Sequence, residues 1–142
     1  MTGGGMNLKL LDVLSRLADD LVGRLDADAC AISRVIGDVL ILVAERVPDG
    51  GTLQMGQGYL VPDYPQTAEV LQTGQPLSLT LDDADVDAAE ASVLQAHGFG
   101  ALAMFTLELN GAVWGLVEVY RRERRAFSEA DIRLGGELIR VT

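Results

Sequence analysis

The sequence has one cysteine and one histidine among 142 residues. A single cysteine, Cys30, excludes a disulfide bond within the chain and is typical of a reducing compartment. One histidine, His97, and one thiol leave few possible pairs of a nucleophile and a general base. The sequence also contains no serine–histidine–aspartate arrangement, glycine-rich phosphate loop or metal-ligand spacing. These absences predict a cytoplasmic module that is not an enzyme, so that any output enzyme domain would lie outside this chain.

Basic residues and long apolar runs are also scarce. Lysine and arginine number 11 against 21 aspartates and glutamates, which gives a formal net charge of -10. Such a charge repels phosphate backbones and anionic lipids, so neither nucleic-acid binding nor membrane insertion is expected. No apolar run reaches the roughly 18 residues that a membrane span needs. The local exception, residues 121–125, predicts a solvated connection, with a contact to another domain or to phosphate as the alternative.

The apolar content predicts one folded domain. The chain is 49% hydrophobic, which is enough for a two-layer core at this length. Residues 1–6 are expected to be a flexible segment and residues 7–142 to form the domain. The apolar pattern of Ile132, Leu138 and Ile139 runs to the end of the chain, which predicts a last helix that continues beyond Thr142.

A row of leucines marks the first helix. Leu10, Leu14, Leu17 and Leu21 recur at spacings of four, three and four, as in the seam of a coiled coil. A second apolar stripe runs beside this row, so the helix is apolar over more than one face. We expect one face to cover a sheet and the leucine row to form a parallel homodimer. The alternative is a single wide stripe that faces the core.

Turn residues and hydrophobic patterns give the order of the remaining elements. The dipeptide Asn110-Gly111 is the strongest hairpin signal, since a type I′ turn needs positive φ at both central residues. Two hairpins and one further strand predict an antiparallel sheet with helices on both faces, an α+β sandwich. The predicted elements are strands at 29–36, 39–46, 76–80, 101–109 and 112–120, a loop at 48–58, and helices at 67–72, at 86–96 and from Ser128 onward.

Several weak motifs in a fixed order make the chain resemble a GAF domain, the small-molecule-sensing or dimerising module of bacterial signalling proteins. The motifs are Gly58-Tyr59-Leu60, Asp63-Tyr64-Pro65-x-Thr67, Val70-Leu71-x-Thr73-Gly74-x-Pro76, Glu90, Gly98, Gly115-Leu116-Val117-Glu118 and Phe127-Ser128-x3-Ile132. The resemblance implies a GAF/PAS-like antiparallel sheet. It also implies that the first and last helices share one face, and that short helices and loops cover a ligand cavity on the other.

We expect the ligand site to be lined by aromatic and sulfur-containing side chains, which supply contact area, and by phenol hydroxyls, which orient a polar ligand. Only one of Met104 and Phe105 can face the cavity, because adjacent strand residues point to opposite faces. Residues 56–65 are expected to act as a lid. The predicted ligand-binding residues are Tyr59, Tyr64, Phe99, Met104, Phe105 and His97.

Three functions remain open from the sequence. The first is a sensor of a small molecule of unknown identity, and the second is a structural dimerisation domain with a collapsed pocket. The third is a sensor of haem or another chromophore, in which His97 would be the axial ligand. The acidic run from Asp82 to Asp87 lacks the glycine and the final carboxylate of a calcium loop, so it is expected to be solvated.

Overall fold

The computed structural model describes residues 8–48 and 58–142. Within these ranges the chain forms a six-stranded sheet, four α-helices and one short 3-10 helix. In chain order the elements are α1 (Leu8–Arg24), β1 (Ala29–Ile36), β2 (Val39–Arg46), β3 (Gly58–Leu60), the 3-10 helix (Val61–Asp63), α2 (Pro65–Thr73), β4 (Leu77–Thr80), α3 (Ala88–His97), β5 (Ala101–Leu109), β6 (Ala112–Arg121) and α4 (Glu129–Arg140).

The sheet has the strand order β3-β2-β1-β6-β5-β4, and every neighbouring pair is antiparallel. The predicted α+β class is therefore confirmed. Both predicted hairpins are present, β1 with β2 and β5 with β6. At the β5–β6 turn Asn110 has φ of 56° and Gly111 has φ of 80°, the positive values that the sequence predicted for this turn.

One face of the sheet is covered by α1 and α4, and we call it the helix side. Leu14, Leu17 and Leu21 of α1 are 1%, 3% and 0% exposed and belong to the core on this side. The predicted contact of this leucine row with a partner helix is therefore wrong. The row packs against the chain's own sheet, because α1 contacts β1, β2 and α4. The alternative prediction, a wide stripe that faces the core, describes α1 correctly.

The other face, which we call the pocket side, is covered by the segment from β3 to α2 and by α3. Most of the predicted loop at 48–58 lies outside the described residues. Residues 58–60, however, form an edge strand that pairs with β2. The predicted lid is therefore not a loop in the part that the structure describes, since a strand, a 3-10 helix and the start of α2 occupy residues 58–65. A strand of three residues is too short to give an alternating pattern.

The acidic run is used in local hydrogen bonds rather than simply solvated. The Thr80 backbone N–H donates to Oδ2 of Asp83 at 2.8 Å. The Glu90 backbone N–H donates to Oδ1 of Asp87 at 2.7 Å, so Asp87 is the N-cap of α3, as is usual for aspartate at this position. Helix α3 therefore starts at Ala88, two residues later than predicted. Ser128 caps α4 as predicted, through a capping box with Asp131.

The first arginine of the basic run is buried, which corrects the prediction of a solvated connection. Arg121 is 2% exposed and ends β6. Its Nη2 atom donates to the Leu25 carbonyl at 2.7 Å and lies 3.3 Å from Oδ2 of Asp131. Its Nη1 atom donates to the Ala126 carbonyl at 2.9 Å, and its guanidinium carbon lies 3.9 Å from the centre of the Phe127 ring. Arg121 thus joins the end of β6 to the end of α1 and the start of α4.

The other arginines of the run contact acidic residues near the surface. Arg124 pairs with Asp82 at 2.6 Å and Arg125 pairs with Asp26 at 3.0 Å, and all four side chains are substantially exposed. Among the described residues, no helix combines the length and the apolar character that crossing a membrane requires.

Candidate functional site: a pocket with two carboxyl groups

A pocket of about 530 Å³, including its open mouth, lies between the pocket side of the sheet and the segments that cover it. The strands β1, β2 and β6 supply its floor, and the edge strand β3 and the helices α2 and α3 supply its walls. The lining residues are Ala31 and Ser33 of β1, Leu40 and Leu42 of β2, Tyr59 of β3, Tyr64, Thr67 of α2, Glu90, Val93 and His97 of α3, and Glu118 and Tyr120 of β6.

Strand β6 places a glutamate in the floor of the pocket. Residues of a strand alternate between the two faces, so Leu116, Glu118 and Tyr120 all point to the pocket side. Burial, and to a smaller extent the nearby charge of Glu90, raises the pKa of Glu118 to about 8, whereas a hydrogen bond with Tyr120 opposes the shift. A carboxyl group with such a pKa is mostly protonated at pH 7, so it can donate as well as accept a hydrogen bond.

A second glutamate enters the pocket from α3. Glu90 is 3% exposed and accepts a hydrogen bond from the Thr67 hydroxyl. Burial raises the pKa of Glu90, while the bond from Thr67 opposes this shift and the charge of Asp87 adds to it. Buried carboxyl groups of this kind, inside a concave site, are more frequent at functional sites than elsewhere.

Helices α2 and α3 are held together at their first turns, which fixes the position of Glu90. The Gln66 backbone N–H donates to Oδ2 of Asp87 at 3.1 Å, and the Asp87 backbone N–H donates to Oε1 of Gln66 at 2.8 Å. These reciprocal bonds lie one residue from Thr67 and three residues from Glu90. The Thr67–Glu90 contact is therefore set by the backbone of both helices.

Two tyrosines form one wall of the pocket. Tyr59 pairs with Leu40 across the sheet, which places its side chain on the pocket side. The rings of Tyr59 and Tyr64 meet edge to face, with their centres 6.1 Å apart and their planes at 79°. Burial is the main cause that raises the pKa of both phenols. Both hydroxyls therefore stay protonated at neutral pH and can donate hydrogen bonds to a ligand.

The opposite wall continues into a stack of three rings. His97 lines the pocket, and its ring lies 6.4 Å from that of Phe99 at an interplanar angle of 26°. Phe99 in turn stacks on Tyr120 at 4.7 Å and 19°. Phe99 therefore supports two lining residues without being one itself.

The structure separates the six predicted ligand-binding residues into three groups. Tyr59, Tyr64 and His97 line the pocket. Phe99 and Met104 lie in the core on the pocket side, outside the lining. Phe105 points to the helix side, where its ring faces Gly135 of α4. Met104 and Phe105 point to opposite faces because they are adjacent in β5. Met104 is the one on the pocket side, since it pairs with Glu118 and shares its face.

Sequence reasoning missed the polar residues of the pocket. Glu118 stands between Val117 and Val119 in a strand that is apolar on both faces, and it alternates with Leu116 and Tyr120. A charged residue that a buried strand directs into the protein is the signal that could have identified it. Glu90 and Thr67 belong to the motifs that carry the family resemblance, but the motifs do not show that the two side chains meet, because this contact depends on how α2 and α3 pack. Among the described residues there is no cluster of three or more potential metal ligands.

A family model for the GAF domain matches residues 9–138. The chain belongs to the GAF domain family. The resemblance read from the sequence is thereby confirmed. GAF domains are sensor modules of signalling proteins rather than catalytic domains. No curated protein sequence matches this chain.

Solved structures of other GAF domains share the fold. The PixJ GAF domain of Thermosynechococcus elongatus, in its blue-light absorbing form, has a TM-score of 0.80 and 18% identity, over 95% of this chain and 85% of that one. The GAF domain of a sensor histidine kinase from Bacillus halodurans has a TM-score of 0.73 and 17% identity, over 95% and 90% of the two chains. Identities this low establish the common fold alone.

A phytochrome chromophore-binding domain from Stigmatella aurantiaca is also similar. Its TM-score is 0.75 at 17% identity, and the match covers 97% of this GAF domain but 54% of that chain. This chain therefore spans about half the length of that relative.

Proposed function

We propose that this GAF domain is a non-enzymatic regulatory module of a cytoplasmic bacterial signalling protein, and that it senses a small molecule bound in the pocket of Glu118 and Glu90. The pocket carries the proposal. It combines an apolar floor with a few converging polar groups, which is the usual composition of a small-molecule site. The raised pKa values of both carboxyl groups support the same reading, because a purely structural core would bury apolar residues at these positions.

Strand β6 provides the route from the pocket to the rest of the molecule. Glu118 and Tyr120 lie on it in the pocket, and Arg121 at its end donates to carbonyls near the end of α1 and lies against Asp131 of α4. A ligand that favours one position of β6 would therefore bias both terminal helices. The size of this bias is limited by the difference in the ligand's affinity for the two states.

The test is a thermal-shift screen of the full chain against small molecules of mixed charge. Compounds that raise the melting temperature of the wild type should act more weakly on Tyr59→Ala and Tyr64→Ala, because both rings line the pocket. Val113→Ala is the control, since Val113 is a 40% exposed residue of the same sheet, outside the pocket. If no compound of any charge acts on the wild type, the sensor function is refuted.

A chromophore is the second candidate ligand, because His97 lines the pocket and two of the similar structures belong to light-sensing proteins. The visible absorbance of the purified protein tests it directly. A band that His97→Ala abolishes would establish a chromophore with a histidine contact. A colourless protein after incubation with haem would exclude haem.

Homodimerisation remains a proposal, now through a different surface of α1. Leu8 and Val13 are 82% and 39% exposed, whereas Leu14, Leu17 and Leu21 lie in the core. Exposed apolar residues on a helix are a usual component of helix pairing. Sedimentation at micromolar concentration should show a dimer that Val13→Glu weakens, and a monomeric wild type would leave the domain without this role.

A further inference from the structure

We propose that the ligand of the pocket is a small organic cation, whose ammonium or guanidinium group is bound by the carboxylates of Glu118 and Glu90. This inference rests on the proposed sensor function and names the ligand class of the same site. Four observations on the described residues carry it: the pairing of two acids in one pocket, the absence of a basic partner, a free hydroxyl beside them, and the aromatic walls.

Both glutamates lie in one pocket that no lysine or arginine lines. All 11 lysines and arginines of the sequence fall within residues 8–48 and 58–142, and none of them lines the pocket. Among these described residues, neither Glu118 nor Glu90 takes part in an ion pair. Glu90 is buried and Glu118 is half-buried, and two carboxyl groups that share a site repel each other when ionised. A bound cation would remove this repulsion, as an opposite charge within about 4–6 Å does.

A hydroxyl group beside the acids supports a ligand that donates several hydrogen bonds. Ser33 is 4% exposed, lines the pocket, and has no side-chain hydrogen bond to any residue that the structure describes. Among the described residues, no fully buried side-chain nitrogen or oxygen lacks a hydrogen bond, so the unbonded Ser33 hydroxyl is open to the pocket and available to a ligand atom. An ammonium group carries three N–H donors, which matches two carboxylates and one hydroxyl.

The aromatic and apolar walls of the pocket suit both the charge and the hydrocarbon body of an organic cation. Tyr59, Tyr64 and Tyr120 present three aromatic rings to the pocket, and aromatic faces attract cations through their electron density. Leu40 and Leu42 add apolar surface for an alkyl or aryl body. His97 also lines the pocket, and its ring stacks on Phe99.

A neutral ligand bound by a protonated Glu118 is the competing account, and a matched set of probes separates the two. The cationic probes are 2-phenylethylamine, tyramine and agmatine. The neutral counterpart is 2-phenylethanol and the anionic one is 3-phenylpropionate. Isothermal titration calorimetry on the full chain at pH 7.5 and low salt should show 2-phenylethylamine binding at least tenfold more tightly than 2-phenylethanol, and no binding of 3-phenylpropionate.

The variants test whether the carboxylates are responsible. Glu118→Gln and Glu90→Gln keep the shape of each side chain and remove its charge, so each should weaken the binding of 2-phenylethylamine at least tenfold. The matched control is Glu108→Gln, since Glu108 is an exposed residue of β5 outside the pocket. Far-ultraviolet circular dichroism checks that the variants are folded, and the second glutamine variant serves if the first is not.

Three outcomes overturn the inference. Binding of 2-phenylethanol as tight as that of 2-phenylethylamine would favour the neutral ligand. Full affinity in both glutamine variants would exclude the carboxylates. No binding of the three cationic probes at 10 mM, combined with tyrosine-dependent binding of a neutral or anionic library compound, would refute the cation while leaving the sensor function intact. Failure of every compound in the mixed library would refute the sensor function itself.

Discussion

The two faces of the sheet differ in what they bury. On the helix side the core is apolar, with residues such as Leu21, Phe105 and Val117 packed between the sheet and the helices α1 and α4. On the pocket side the same strands place the half-buried Glu118 and the buried Tyr120 next to apolar residues, around an open pocket. The same strands therefore supply an apolar core on one face and a pocket on the other, because alternate residues of each strand point to opposite faces.

This division has an energetic consequence. Close packing without polar groups gives the most stability for a given buried area, so the helix side should dominate the free energy of unfolding. Around an open pocket fewer atoms pack against each other, and the two carboxyl groups lose part of their hydration. Both effects lower the stability that the pocket side contributes. The pocket side should therefore contribute less stability and respond more to pH and ligands.

The largest expected effect compares one leucine from each side. Leu21→Ala, on the helix side, removes a side chain that is 0% exposed and should lower the free energy of unfolding by about 3–4 kcal/mol. Leu42→Ala removes a leucine that lines the pocket. It should cost about 2 kcal/mol, the low end for a buried leucine, because this 4% exposed side chain also borders the pocket, where fewer atoms pack against it. Urea denaturation measures both values. Equal losses would mean that the two sides are packed alike.

The second prediction concerns the residue that joins the strand to both terminal helices. Arg121→Met removes the donors that serve the carbonyls of Leu25 and Ala126 and leaves Asp131 without its buried partner. We expect a loss of about 2–3 kcal/mol in urea denaturation, since the Leu25 and Ala126 carbonyls lose the charged donors of a buried side chain, whereas Asp131 is 28% exposed and can be solvated. Arg125→Met is the control. Its pair with Asp26 is exposed and should be worth less than about 1 kcal/mol. Similar losses would show that burial of Arg121 adds nothing.

The sequence predicted the two hairpins of the sheet well. Residues 29–36, 39–46 and 101–109 match the observed strands, because apolar patterns and the turns Gly37-Asp38 and Asn110-Gly111 are local signals. The burial of the leucine row of α1 in the chain's own core was not predictable in the same way. An apolar stripe is equally suited to a sheet or to a partner helix, and only the tertiary fold shows which one Leu14 meets.

The pocket was predicted less completely. Tyr59, Tyr64 and His97 were expected in the lining on the basis of family resemblance and residue type, and the structure places them there. The Thr67–Glu90 contact joins residues 23 positions apart on two helices, and no local pattern encodes such a distance. The position of Arg121 was missed for a different reason. In the sequence Arg121 is one arginine of a basic run. It is buried because β6 continues to residue 121, one residue beyond the predicted end of the strand at 120.

The third prediction uses two adjacent glycines of α4, one facing the helix-side core and one facing away. A Cβ at Gly135 would lie 2.6 Å from the ring of Phe105, whereas a Cβ at Gly136 would meet nothing within 4 Å. Phe105 is 3% exposed and its ring is held by the core. Gly135→Ala should therefore destabilise the domain by about 1–2 kcal/mol through overpacking. Gly136→Ala should stabilise it by about 0.5–1 kcal/mol through helix propensity. Thermal denaturation of the two variants tests this, and stabilisation by both would show that the ring moves freely.

The smallest effect separates the two sides by pH. Burial gives Glu118 a folded-state pKa of about 8, above its ordinary value of 4.5. A raised pKa contributes stability that is complete below the unfolded-state value and is lost as pH rises to the folded-state value. Glutamine imitates the neutral acid at every pH. Relative to the wild type, Glu118→Gln should therefore gain stability between pH 5 and pH 8. The full shift would correspond to about 3–4 kcal/mol. Because Glu118 is only half-buried, water screens its charge, and we expect a gain on the order of 1 kcal/mol.

Urea denaturation of the ligand-free protein at pH 5 and pH 8 measures this gain. Glu90 faces Glu118 across the pocket and titrates in the same direction, so Glu90→Gln should show a gain of the same sign. Glu108→Gln on the exposed surface should show none. A constant difference between Glu118→Gln and the wild type at both pH values would mean that Glu118 is ionised throughout, and that the pocket side is no more sensitive to pH than the helix side.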